Sequence, residues 1–256
     1  MRSFDACWKN HEWQVLRHFP DAKFYLCTAD DEDHMKATAF RGGNAWTRVR
    51  KLKQPEMVIP AGCPSEWRPG SPYMHEPYHI SVDPRAVLGQ LWMLREGWRL
   101  YQEANDPADL IIRIRPDLWF HSFALPHAFR MFEHDPKRRT VEIKCDSAQI
   151  EKAQAQIDAR SATACTPWWG RFGGVCDRFA MLGAKAAEAY FTTYDHIPAM
   201  IAEGAPLHPE TLVHYAMKRA GISICDDMKA EFSTLRKSGE MRPPEITMID
   251  LAHFKA

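Results

Sequence analysis

The sequence predicts an α/β protein with a mostly parallel central sheet flanked by helices, and two adjoining stretches carry that reading. Leu110, Ile111 and Ile112 form an apolar run with no polar face, the pattern of a central strand covered on both sides. Just upstream, Ser81-Val-Asp-Pro-Arg85 starts a helix, with Asp83 at its cap and Pro84 at its first helical position. Val87, Leu91, Leu94, Trp98 and Tyr101 make one apolar stripe along it, and Asn105-Asp-Pro107 ends it. A helix joined to a strand by a short connection is half of a βαβ unit, hence a parallel sheet.

Taken in order, residues 4–19 space Phe4, Trp8, Val15, Leu16 and Phe19 as a helix that Pro20-Asp21 closes. Lys23 to Thr28 reads as a strand, and Asp30 to Asp33 as a solvated acidic loop. Arg41 to Asn44 and Pro60 to Pro72 are turn chemistry, with Gln54 to Ile59 between them as a short strand. His75 and His79 flank Pro77, which denies them a helical scaffold, so no metal site is assigned there. Ala124 to Glu133 reads as a short helix, Thr140 to Cys145 as a strand, and Ala148 to Arg160 as a polar helix or exposed excursion. A short strand is expected over Arg178 to Leu182, a strong helix over Ala184 to Tyr194 and another over Ile197 to Glu203. Pro209 and Glu210 mark a further helix start with His208 near its cap, an arrangement that capping and the helix dipole explain without chemistry. Ile222 to Cys225 and Phe232 to Arg236 complete the strands. No repeat or linker divides residues 1–256, so one domain is expected.

The chemistry concentrates where the Leu110 strand ends. Pro116 removes a ladder donor and stops pairing near Arg115, which delivers Arg113, Arg115 and Asp117 at a strand's carboxyl end. Open α/β sheets bind ligands at that edge; arginine forks suit phosphate, and a carboxylate suits a metal ion or ribose hydroxyl. A solvated Arg–Asp cluster is the competing reading. Further on, Gly173-Gly174 allow close backbone approach to a ligand, and Asp177 sits just before the short strand that starts at Arg178.

Composition limits the partners. Of 256 residues, 45% are hydrophobic and 26% charged, while 33 basic residues balance 33 acidic ones at a pI near 7.2. No global field draws such a chain to nucleic acid or anionic lipid, although a local basic patch stays open. Seven scattered cysteines with no C-x-x-C pair point to reduced thiols and a cytoplasmic setting. No apolar run approaches the roughly 18 residues of a membrane span, and a soluble protein is expected.

Five short segments, in this order, resemble a family of glycosyltransferase-like proteins with the GT-A nucleotide-diphospho-sugar fold: Arg2-Ser-Phe4, Phe24-Tyr-Leu-Cys-Thr28, Arg113-Ile-Arg-Pro-Asp-Leu118, Gly173-Gly-Val-Cys-Asp-Arg-Phe179 and His208-Pro-Glu210. The resemblance implies sugar transfer from a nucleotide-diphosphate donor to an acceptor: polysaccharide first, a modified DNA base or protein side chain after it. It implies that Arg2, Thr28, Arg113, Arg115, Asp117, Gly173 and Gly174 bind the nucleotide sugar and that Asp177 and Glu210 are catalytic. Asp117 and His208 would hold a divalent cation, Mn2+ or Mg2+. Two departures stand out: the family's first strand should precede Arg2, and Arg115-Pro-Asp117 stands where an Asp-x-Asp metal motif is usual. The rivals are a nucleotidyl- or phosphotransferase using the same groups, and a non-catalytic relative that binds a nucleotide or a partner.

Overall fold

The computed structural model describes residues 4–30, 47–63, 83–134, 146–171, 174–235 and 241–242. The expected strand at Thr140 to Cys145, the turns near Arg41, most of the acidic loop, His75, His79, Arg2 and Gly173 lie outside them. The architecture is mixed α/β. Helix α1 (Phe4–Gln14) and a 3-10 turn (Leu16–His18) lead to β1 (Tyr25–Ala29), which pairs in parallel with β2 (Arg48–Leu52). Helix α2 (Pro84–Gln102) follows, capped as expected: the Asp83 carboxylate accepts the Arg85 N–H at 2.9 Å.

Strand β3 (Leu110–Ile114) and β4 (Leu118–Phe123) flank the Pro116 turn. A 3-10 turn (His127–Phe132) stands within the short helix expected over 124–133. Helix α3 (Ser147–Ser161) starts with a reciprocal capping box, Asp146 with Gln149, and buries none of its residues, which agrees with its polar sequence. Then come β5 (Thr163–Pro167), β6 (Phe179–Gly183), α4 (Ala184–Phe191), α5 (Thr193–Ala202) and α6 (Pro209–Arg219). Strands β7 (Ser223–Met228), β8 (Ala230–Leu235) and β9 (Met241–Arg242) close the described chain.

The sheets correct the expectation of a mostly parallel platform. Among the described residues there are three: β1-β2, β3-β6-β5-β7 and β4-β8-β9. Only β1 with β2 and β5 with β7 run parallel; β3 with β6, β5 with β6, β4 with β8 and β8 with β9 are antiparallel. The helix-then-strand argument fails because the strand beside β3 is β6, some seventy residues onward and reversed, not a sequence neighbour. Strand β3, expected at the centre of a sheet, stands at an edge among the described residues. Residues 53–60, expected to include a short strand, have no regular structure.

The four-stranded sheet sits between two apolar layers because its strands alternate. Ala180 and Leu182 of β6 join a core with Leu91, Trp98, Tyr190 and Leu212 from the helices. Phe179 and Met181 join a second core with Leu118 and Phe120 of β4 and Phe232 of β8. Helix α1 packs on β4 from that side, where Asn10 exchanges two hydrogen bonds with the Phe120 backbone at 2.6 and 2.8 Å.

Candidate functional site

Antiparallel pairing of β3 with β6 sets the carboxyl end of one beside the amino end of the other, and the Arg115 N–H is donated to the Arg178 carbonyl at 3.0 Å. Arg113 and Arg115, two residues apart, share a strand face on which Ile111 packs into the helical core. Asp177, one residue before Arg178, therefore lies next to them, and the three charged groups bear on one another electrostatically.

Arg115 grips Asp117 bidentately: Nε to Oδ1 at 3.0 Å and Nη2 to Oδ2 at 2.7 Å. Burial alone would raise the Asp117 carboxyl, but the charge and hydrogen bonds of Arg115 outweigh it and hold it below the ordinary carboxylate range. Arg113 donates from Nη1 to the Ile114 carbonyl at 2.7 Å, while its buried Nε has no partner, and burial lowers its pKa. Asp177 is 3% exposed. Its Oδ2 accepts from Gln90 Nε2 on α2, and its Oδ1 is buried without a partner. The hydroxyl of Tyr190 on α4 is likewise buried and unpartnered, and burial raises it well above the ordinary phenol value despite the Arg113 charge nearby.

Helix α6 brings the last members. His208 is its cap residue, with Nδ1 3.0 Å from Thr211 Oγ1 and Nε2 3.3 Å from Glu210 Oε2. Glu210 is 5% exposed; burial first, then the Asp177 charge, push its carboxyl well above the ordinary value. The Asp117 carboxyl held low and the Glu210 carboxyl pushed high put two acids of opposed pKa in one cluster, a pattern of acid–base sites.

The expected site residues thus divide. Arg113, Arg115, Asp117, Asp177 and Glu210 gather at one end of the four-stranded sheet, with His208 beside Glu210. Thr28 is buried in β1 on the wall of a cavity of about 900 Å³, which Gln90, Arg113 and Pro116 also line. Gly174 was expected to admit a ligand, yet its close neighbour is protein: a Cβ there would collide with the Glu210 carbonyl, to which the Val175 N–H donates at 3.1 Å. Gln90 and Tyr190 were missed. Both sit in amphipathic helices, where one polar group inside an apolar stripe was the available signal.

The donors expected for a divalent ion are engaged within the protein, Asp117 by Arg115 and His208 by Thr211 and Glu210. Among the described residues, the one group of three His, Cys, Asp or Glu donors close enough to share an ion is elsewhere: Cys165 and Cys225, cross-strand partners on β5 and β7, with Asp227. Two thiols and one carboxylate suit a soft ion such as zinc better than Mn2+ or Mg2+. No helix among the described residues is long and apolar enough to cross a membrane. No protein-family model, curated protein or solved structure matches the chain.

Proposed function

We propose that the protein binds a nucleotide-diphosphate sugar at this cluster and transfers the sugar to an acceptor hydroxyl, polysaccharide being the first acceptor to test, in a GT-A-like arrangement. The observation that carries the reading is a set of three buried polar atoms without partners, from β3, the loop before β6 and α4: Arg113 Nε, Asp177 Oδ1 and the Tyr190 hydroxyl. Buried polar groups are rarely left unpaired, and a cluster of them marks where a polar ligand belongs. In the proposed step the acceptor oxygen bonds to the anomeric carbon, the bond from that carbon to the diphosphate breaks, and Asp177 takes the hydroxyl proton. Arg113 and Arg115 offset charge on the departing diphosphate, and protonated Glu210 donates to the sugar. A cation at Asp117 would have to displace Arg115 from both carboxylate oxygens, so the arginine-only form is preferred and chelator should leave activity intact.

One observation favours a second reading, a non-catalytic binder: the mutual Arg115–Asp117 grip satisfies both groups without a ligand. Incubation with a panel of nucleotide sugars, followed by thermal midpoint and slow hydrolysis, separates the two. Transfer predicts both stabilisation and turnover, and a binder predicts stabilisation alone. Asp177→Asn keeps an acceptor for Gln90 and the shape of the pocket, so affinity should persist while turnover drops by about a hundredfold or more. Unchanged turnover removes Asp177 from the chemistry. No stabilisation by any donor sinks the whole reading.

A further inference from the structure

Strand β7 carries two adjacent aspartates, Asp226 and Asp227, although aspartate is depleted in strands. Asp226 is accounted for, since its Oδ2 accepts from Arg171 Nη1 at 2.8 Å. Asp227 is exposed, and its Oδ1 accepts instead from the Cys225 thiol at 3.0 Å.

The backbone explains how a carboxylate comes to stand beside that thiol. Strand β7 runs parallel to β5, with Cys225 opposite Cys165. Pairing resumes at Pro167 and Met228, so β7 holds Asp226 and Asp227 where β5 holds only Thr166. That is a bulge, a device that re-aims a side chain. In a regular ladder, position 227 would share the face of Cys225 and point into the core that Cys165 helps to build. With the extra residue, Met228 takes the buried place and Asp227 stays at the exposed side of the strand, next to the thiol.

The three donors lead from the core to the surface: Cys165 is buried, Cys225 half-buried and Asp227 exposed. No two of their ligand atoms are more than 4.8 Å apart. Zinc–sulfur bonds of about 2.3 Å set two tetrahedral thiolates roughly 3.8 Å apart, which this spacing admits with little movement. Burial first, then the neighbouring Cys225 and Asp227, raise the Cys165 thiol, and burial raises Cys225 as well, so neither is a ready nucleophile. A disulfide would use the two sulfurs and give the carboxylate no part, whereas an ion uses all three donors.

We propose that Cys165, Cys225 and Asp227 form a binding site for one divalent thiophilic ion of the zinc class, which pins β7 to β5 at the bulge. The two thiols give their protons to solvent as the ion binds, and water takes the fourth tetrahedral position on the exposed side. Two thiolates select against Mg2+ and Mn2+, and the carboxylate favours zinc over copper(I). Among the described residues the sheet runs β3-β6-β5-β7, so this site lies at the edge away from β3 and its arginines. The ion would steady the sheet and take no part in transfer, and the inference is independent of the proposed sugar chemistry.

The test strips the reduced full chain with chelator and titrates it with Co2+, whose thiolate charge-transfer band and intense tetrahedral visible bands report the ligands directly. The expected result is one Co2+ per chain with both signatures, displaced by zinc, and a thermal midpoint that zinc raises. Losing an outer partner of a metal ligand costs about 10–100-fold in affinity, so Cys225→Ser, which removes a ligand, should cost at least about a hundredfold and Asp227→Asn at least about tenfold. Both positions are at least partly exposed, and circular dichroism checks that each variant keeps the fold. Cys165→Ala should also abolish the charge-transfer band; if that buried position does not tolerate alanine, Cys225→Ser carries the test. Any of four outcomes overturns the proposal: the parent shows no thiolate band; Cys225→Ser keeps full affinity, which puts the ion on other thiols; Asp227→Asn keeps full affinity, which removes the third donor; or peptide mapping finds a Cys165–Cys225 disulfide in the isolated chain and the reduced form takes up no Co2+, which makes the pair a redox couple.

Discussion

His11 and Glu210 are both buried ionisable side chains, and they tilt stability against pH in opposite directions. The His11 Nε2 lies 2.6 Å from the Leu118 carbonyl, so that nitrogen carries the proton and donates it; the ring packs edge-on against Phe120 at 5.6 Å. Burial dominates and lowers the pKa from 6.5 to about 4, although the carbonyl and the Asp117 charge pull the other way. The unfolded chain therefore binds a proton that the folded one refuses. Stability is full above 6.5 and is lost as pH falls through that window towards 4, by about 3 kcal/mol at 1.36 kcal/mol per unit. Denaturant unfolding of His11→Gln against the parent should show that acid slope flattened; an unchanged slope assigns it to other groups. Glu210 is the reverse case, its carboxyl raised by burial and the Asp177 charge. The folded state holds the extra proton, so stability declines as pH rises from the ordinary 4.5 through the raised value. Glu210→Gln should remove that decline and be at least as stable as the parent at neutral pH. A marked loss there would mean that the carboxylate form, linked to His208, is the one the fold needs.

Elements with local signals were readable, and those defined by distant partners were not. Helix α2 was legible because Asp83, Pro84 and the Leu91–Trp98 stripe are all short-range features. Strand β4 was read only as the tail of the β3 stretch, since what makes it a strand is antiparallel pairing with β8, over a hundred residues away. Strand β5 ends in Pro167 and was passed over, yet it lies between β6 and β7. The sheet's polarity failed for the same reason. Of the site, the motif residues around Arg115 and Asp177 were legible as residue types, whereas Gln90 and Tyr190 needed the packing of α2 and α4 over the sheet. Gly174 shows how a residue can be noticed for one reason and required for another. Its missing side chain lets residues 174–175 lie against the first turn of α6, where the Val175 N–H meets the Glu210 carbonyl. Both clashing groups are backbone, so Gly174→Ala must push the helix start away. A loss of about 1–3 kcal/mol is expected, as for other overpacked sites. Because Glu210 moves with that turn, its pH signature should shift too; a variant with wild-type stability and pH profile would show that the contact is looser than drawn.

At the scale of the molecule, the four-stranded sheet is a shared wall. Phe179 and Met181 of β6 point into the core with β4 and β8, while Ala180 and Leu182, their immediate neighbours, point into the helical core. Neither layer can lose its packing without uncovering one face of the same strands, so the two should melt as one unit even though their contacts are separate. Leu91→Ala on the helical side removes a side chain with no solvent exposure, and Phe232→Ala does the same at 1% exposure on the other. Core truncations of these kinds cost about 2–5 kcal/mol. Each variant should shift a single transition, followed by far-ultraviolet circular dichroism for helix and by tryptophan fluorescence for the aromatic packing, with both probes moving together. The residues share no core, so the double variant should lose roughly the sum of the two. Probes that separate in either variant, with one layer melting ahead of the other, would show that the shared wall does not couple them and that the chain holds two units where one is expected.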